Sequence, residues 1–412
     1  MFKTIDPRQY AALRIVYGVL ALASLFNFYD YASFFYSDKG WLPSATAIQL
    51  SDPSAWSLLY TITSPQGVRI FIALLITAAI FMIIGYRTRL SILVVFIGLI
   101  SIHYRNWWAD SGEDSALRIM IFYLIFAACG EAWSVDSLIR NYRAKIADVN
   151  SGNFPEIPKK STEPKPRPAW PLIALQIQVC FIYCMTGIMK ETGTSWSQGS
   201  ALYFVLMNRL FAKAVLGNLA HNSLVMAILS LMTKATLFWE LTFPLLILNK
   251  WTRWAALAIG VFVHTGIVVL MQAHWFGFIM MATYIAFLPG NLFAKFENWA
   301  RSKLRTPPSL RAQAFFDRNS QSSVKWTILL NLLDFTDKVE WVPQNPPTDF
   351  SFLPPNGKIL TGTDAMDAVI RTLPSLFFVR ILTVLPGFSR LVSWTLANSG
   401  SVSTFLREFF AQ

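Results

Sequence analysis

Three ionisable side chains sit where the sequence otherwise offers only apolar neighbours. Lys190 closes the stretch Tyr183-Cys-Met-Thr-Gly-Ile-Met-Lys190, Glu240 lies mid-run in Trp239-Glu-Leu, and His264 lies mid-run between Trp254 and Gln272. A lysine in a water-poor setting loses the solvation that keeps it charged, so it can serve as a general base near neutral pH. The plainer reading of Lys190 is a side chain that snorkels to an interface. Glu240 is too far from either end of its run to reach water and needs a partner or a proton. It reads equally as a polar clamp or a site residue, and Lys234, less than two turns earlier, is poorly placed to pair with it. A lone histidine such as His264 is most often a hydrogen-bonded structural residue, and His103 and His274 lie nearer the ends of their runs. No HxxxH, HExxH or Cys/His cluster is present, so no metal is expected. Cys129, Cys180 and Cys184 all fall in apolar runs without a CxxC and read as buried apolar residues. No glycine-rich phosphate loop and no nucleophile elbow appears.

The elements that must position these groups follow from composition. Of 412 residues, 54% are hydrophobic and 14% charged, against roughly 45–50% and about 25% in soluble domains. Disordered, collagenous and disulfide-scaffold classes are excluded. The apolar residues gather into about eight runs long enough to cross a bilayer as helix. They lie near Tyr10–Phe28, Val68–Tyr86, Leu90–Tyr104, Ala116–Cys129, Pro171–Met189, Leu224–Leu248, Trp254–Gln272 and Trp275–Phe293. A semi-apolar stretch, Ser200–His221, reads as interfacial or re-entrant. The fold class expected is an all-α polytopic membrane bundle followed by a small α/β domain. Met1–Gln9 is mixed in charge with no cleavage site after the first run, so that helix is expected to stay.

The net charge of +12 does not point to nucleic acid in so apolar a chain; it points to basic loops on the cytoplasmic side. Arg87 and Arg89, seven Lys/Arg between Glu131 and Pro168, Lys250 with Arg253, and Lys295, Arg301, Lys303, Arg305 and Arg311 all fall on one side if the helices alternate. Both termini are therefore expected in the cytoplasm, with membrane lipids as the surrounding partner. The Pro-, Lys-, Glu- and Ser-rich stretch around 146–168 reads as a flexible linker between two four-helix halves. The membrane domain is expected to span 1–304 and a soluble tail 305–412. In that tail Ala314–Phe316 is apolar, Val324–Phe335 carries a helical pattern, Val339–Val342 is a strand candidate, and amphipathic helix begins at Asp364.

Four stretches in order resemble the vitamin K-dependent γ-glutamyl carboxylase superfamily, also described as the horizontally transferred transmembrane (HTTM) domain. They are Phe34-Phe35-Tyr36-Ser-Asp38-Lys-Gly40-Trp-Leu-Pro43; Trp133-Ser-Val-Asp136-Ser-Leu138; Ile182-Tyr183 with Gly187-Ile-Met-Lys190, Trp196, Gly199 and Tyr203; and Glu240-Leu-Thr-Phe-Pro244 through His264 to Phe276, Met280 and Met281. The resemblance implies that Lys190 is the catalytic base, acting on a reduced isoprenoid quinone, with O₂ and CO₂ as co-reactants and a glutamate-bearing peptide or protein as substrate. Counting back from Trp133, the carboxylases carry a histidine where this chain has Glu113. The tail segment Phe315-Phe316-Asp317-Arg-Asn-Ser320-Gln-Ser-Ser323-Val-Lys-Trp326, with Gly362-Thr-Asp364-Ala365 and Leu385-Pro386-Gly, resembles the DCC family of thioredoxin-like thiol-disulfide oxidoreductases. Both cysteine positions of that family are serine here, Ser320 and Ser323, and a hydroxyl cannot cycle through a disulfide. The resemblance thus implies a thioredoxin-like tail without redox activity, suited to docking a cytoplasmic protein. Two functions stay open. One is a quinol-dependent carboxylase-like membrane enzyme of the bacterial cytoplasmic membrane. The other is a non-catalytic HTTM protein that assists peptide maturation, export or immunity; a transporter-like role comes third.

Overall fold

A computed structural model describes residues 3–151, 163–213, 217, 222–344 and 350–377. The chain divides into two compact units, residues 1–134 with 164–290 and residues 135–163 with 291–412. The division falls earlier than residue 304, where composition places the change. Residues 152–162 of the linker stretch and the Leu385-Pro386 segment lie outside the described residues.

The first unit is a helical bundle. A two-residue strand, β1 (Thr4–Ile5), leads into α1 (Pro7–Tyr36), followed by α2 (Ser44–Leu50), α3 (Pro65–Ile84), α4 (Thr88–Arg105) and α5 (Gly112–Phe126). The next helix, α6 (Val135–Asn150), belongs to the second unit. The bundle resumes with β2 (Arg167–Pro168), α7 (Trp170–Glu191), two short helices α8 (Thr194–Ser197) and α9 (Ala201–Met207), then α10 (Ser223–Leu248), α11 (Thr252–Leu270) and α12 (Phe276–Thr283). A 3₁₀ turn, Tyr284–Phe287, prolongs α12. β1 pairs antiparallel with β2, tying the start of the first half to the start of the second.

The starts are written in the sequence. Asp6 caps α1 by accepting the Arg8 N–H, with Pro7 in the first turn, where its missing donor costs nothing. Ser64 and Pro65 repeat the device at α3, and Ser111 with Asp114 forms a capping box at α5.

Among the described residues, six helices are each long and apolar enough to cross a membrane, α1, α3, α4, α7, α10 and α11, and Phe276–Phe287 with Asn291–Leu304 forms a further apolar pair bent by 102°. The six long helices carry six of the eight runs read from the sequence. The other two become α5, 15 residues long, or about 22 Å at 1.5 Å per residue, and α12, which has eight residues. Both fall short of the roughly 30 Å hydrocarbon layer. The outer faces of the long helices carry exposed Leu74, Ile177, Leu231, Phe238, Leu245 and Phe262. Apolar side chains turned outward on every long helix suit lipid, not water, as solvent. This is the architecture of an integral membrane protein.

Arg14 lies inside the first apolar run and is fully buried. Its guanidinium donates to the carbonyls of Cys129 at 2.6 Å and Trp133 at 2.5 Å, and more loosely to those of Ile83 and Ala132. Ile83 lies in the last turn of α3 and the other three residues follow the end of α5, where helices leave carbonyls unpaired. Trp133 there takes a positive φ of 48°.

The second unit is α/β. Its sheet has the order β4-β3-β5-β6, built from β3 (Ala312–Asp317), β4 (Val339–Gln344), β5 (Ser351–Leu353) and β6 (Leu360–Thr361). β3 and β4 are parallel, joined through α14 (Gln321–Leu333), while β5 is antiparallel to β3 and to β6. α15 (Gly362–Thr372) follows, and α13 (Asn291–Leu304) precedes the sheet. Alternation along β3 buries Ala312, Ala314 and Phe316 on one face. Leu138, Tyr142, Ile146 and Val149 of α6 recur at helical spacing and pack into the same core as Val324 and Ile328 of α14. The segment between the two halves of the bundle therefore supplies a helix to the core of the tail.

Candidate functional site

The site forms where α7 meets α10. Gly187 sets the approach: a Cβ there would lie 2.8 Å from Leu241 Cδ2 and 3.4 Å from the Leu241 nitrogen. Small residues at such crossings let membrane helices come close. One turn beyond Gly187, Lys190 Nζ reaches Glu240 and donates to both carboxylate oxygens, Oε1 at 2.5 Å and Oε2 at 2.7 Å. The Glu240 side chain is 8% exposed and that of Lys190 28%. The indole of Trp196, on α8, covers the ammonium with its ring centroid 4.8 Å from Nζ, a cation–π contact. Lys190 is thus turned into a carboxylate and an indole.

Two turns earlier on α7, Tyr183 is fully enclosed. Its hydroxyl is shared between His264 Nε2 at 2.9 Å and the Tyr284 hydroxyl at 2.7 Å. His264 comes from α11 and is 3% exposed. Its Nδ1 is buried without a hydrogen-bond partner among the described residues. The rings of Trp239, Phe243 and Phe276 close around this trio. Tyr183 to Phe243 is 4.5 Å between centroids, Tyr183 to Trp239 is 4.9 Å, and His264 to Phe276 is 5.9 Å. Trp239 is itself pinned by its Nε1–H donating to the Ala256 carbonyl at 3.0 Å.

Of the residues singled out from sequence, Lys190 and Glu240 are brought into direct contact, and His264 is joined to the Lys190 helix through Tyr183. Glu113 is placed differently. Its Oε2 accepts the backbone N–H groups of Trp275 and Phe276 at 2.8 and 2.9 Å. That is the position of an N-terminal cap on α12, and Phe276 in turn packs against His264. In the sequence, Tyr183 and Trp196 stand within the motif around Lys190 and carry no signal of a role of their own. Tyr284 had no signal, being one of 13 tyrosines. Among the described residues no group of three or more His, Cys, Asp or Glu could hold a metal ion.

In the second unit, Ser320 and Ser323 sit at the turn from β3 into α14. Ser320 is the N-cap, and its hydroxyl accepts the Ser323 N–H at 3.3 Å.

The family model described as the HTTM domain matches residues 156–291, roughly a third of the chain, which includes Lys190, Trp196, Glu240, His264 and Tyr284. No curated protein and no solved structure matches the chain.

Proposed function

We propose that this membrane protein is a carboxylase-like enzyme in which Lys190 acts as general base toward a reduced isoprenoid quinone, with both termini in the cytoplasm. The observation that carries the reading is the Lys190–Glu240 pair, 2.5 Å apart and shielded by Trp196. Transfer of the ammonium proton to Glu240 leaves a neutral amine beside a neutral acid, and discharges the pair without stranding a charge in a water-poor site. The amine is then free to accept a proton at Nζ. The orphan His264 Nδ1 offers a hydrogen bond to a hydroxyl of an oxygenated aromatic ring, and Phe276, partly buried beside it, offers that ring an aromatic contact. Those residues would hold it, and Tyr183, anchored at both ends of its hydroxyl, would keep His264 oriented. A bound reduced quinone would supply an acidic hydroxyl and, with O₂, the strong base needed to carboxylate a glutamate side chain with CO₂. Lys190→Ala should abolish quinol-dependent incorporation of labelled CO₂ while expression and insertion stay normal. Unchanged incorporation would overturn the assignment.

A second reading is a non-catalytic HTTM protein that assists maturation, export or immunity toward a peptide, with the tail as a docking module for a cytoplasmic protein. Ser320 favours it, because a hydroxyl that caps a helix has a structural use at a redox position. The parallel β3-α14-β4 unit, followed by an antiparallel pair and α15, supports a thioredoxin-like tail. Ser320→Cys with Ser323→Cys should then close a disulfide on mild oxidation, read by mass spectrometry. Two thiols that stay free would count against that fold.

A further inference from the structure

The helix α13 takes no part in the chemistry proposed at Lys190. Only residues 288–290 separate α13 from the 3₁₀ turn that ends the bundle at Phe287. At 100° per residue, Leu292, Phe296 and Trp299 fall on one arc of the helix, with Lys295 at its edge and Lys303 on the same arc one turn past Trp299. Phe296 and Trp299 are each 58% exposed, and their rings pair with centroids 5.9 Å apart. Leu304 is exposed at the end of the helix, and only Phe293 among the large apolar residues is buried. Arg301 is held by Glu297 at 2.5 Å and Arg305 by Asp337 at 2.6 Å. Lys295 and Lys303 have no ion pair among the described residues and are exposed beside the apolar arc. An exposed Leu/Phe/Trp stripe flanked by free lysines is the composition of a helix that lies in a membrane interface.

We propose that α13 is an in-plane membrane anchor, seated on the bilayer that holds the bundle and selective for anionic phospholipid. Leu292, Phe296 and Trp299 would enter the acyl boundary, with Trp299 at headgroup depth as interfacial tryptophans are. Lys295 and Lys303 would engage the phosphates of anionic headgroups. The short tether keeps the helix beside the membrane, so only the apolar face and two lysines are needed to lay it flat. The anchor would hold the start of the tail against the membrane surface.

The test uses the full-length protein in nanodiscs of phosphatidylcholine, with or without phosphatidylglycerol. A photo-reactive diazirine residue is placed at Phe296 or, separately, at Asn298, and adducts are read by mass spectrometry. The expected result is several-fold more lipid adduct from position 296 than from position 298. The lipid yield at 296 should rise with phosphatidylglycerol, and Lys295→Glu with Lys303→Glu should cancel that rise. Water adducts at both positions would overturn the proposal by showing a solvated helix. Cross-links from position 296 to protein, whether this chain or another, would overturn it in favour of a protein contact. Lipid adducts indifferent to phosphatidylglycerol would overturn the anionic selectivity.

Discussion

Replacing Glu240 with glutamine is expected to destabilise the bundle by on the order of 2–3 kcal/mol, whereas removing both charges together is expected to cost less. The carboxylate is nearly enclosed and takes both of its strong hydrogen bonds from Lys190. Breaking a buried pair from one side leaves a charge without compensation, at about 3–5 kcal/mol when the site is fully dry. Lys190 keeps some exposure, and its stem can redirect the ammonium toward an interface, which discounts the figure. Lys190→Met should be costly for the mirror reason, since Glu240 would have to take a proton to stay buried. Lys190→Met combined with Glu240→Leu removes the desolvation of both groups, so it should unfold at a higher temperature than either single variant. The measurement is the fraction of detergent-purified protein that stays monodisperse after heating. A double variant no more stable than the singles would mean that the pair is not energetically coupled. A double variant that is stable but without CO₂ incorporation would separate the catalytic role of the pair from its structural one.

That pair also shows where the sequence is informative. Lys190, Glu240 and His264 were legible because ionisable groups are rare in apolar runs and each one stands out. Their pairing was not legible: Lys190 and Glu240 are 50 residues apart, and what joins them is a helix crossing set by Gly187. Arg14 carries no such signal, for a different reason. Its partners are backbone carbonyls, so no acidic residue in the sequence signals it. Tyr183 and Tyr284 carry no anomaly of charge, and their roles come only from where three helices and a 3₁₀ turn converge. In the tail, β3, α14 and β4 showed in the pattern, but β5 and β6 have three and two residues, too few for a period to register. The stripe on α6 was hidden by the linker composition that follows it. Among the described residues only six of the eight runs form single long helices, because hydropathy alone does not fix where a helix stops. Ala127 ends α5 in an extended conformation, and α12 tightens into the 3₁₀ turn after Thr283.

Gly260→Ala is expected to cost about 3 kcal/mol, more than its one added methyl suggests. A Cβ at this position would overlap the Tyr284 hydroxyl and lie 2.6 Å from Tyr284 Cζ and 2.8 Å from Trp239 Cζ2. Neither ring can yield by a simple rotamer change. The Tyr284 hydroxyl is bonded to that of Tyr183, and the Trp239 indole to the Ala256 carbonyl. Overpacking alone costs about 1–3 kcal/mol, and displacing Tyr284 adds the penalty of an unsatisfied buried hydroxyl, about 1–3 kcal/mol. The cause can be isolated with Tyr284→Phe, which removes the atom that the new methyl meets first. If the clash with Tyr284 carries the effect, Gly260→Ala combined with Tyr284→Phe should be less destabilised than the sum of the singles. Strict additivity in the heating assay would place the strain at Trp239 instead. Because Tyr183 stands two turns from Lys190 on the same helix, the single Gly260→Ala variant should also lower quinol-dependent CO₂ incorporation in protein that remains folded, although residue 260 touches neither Lys190 nor Glu240.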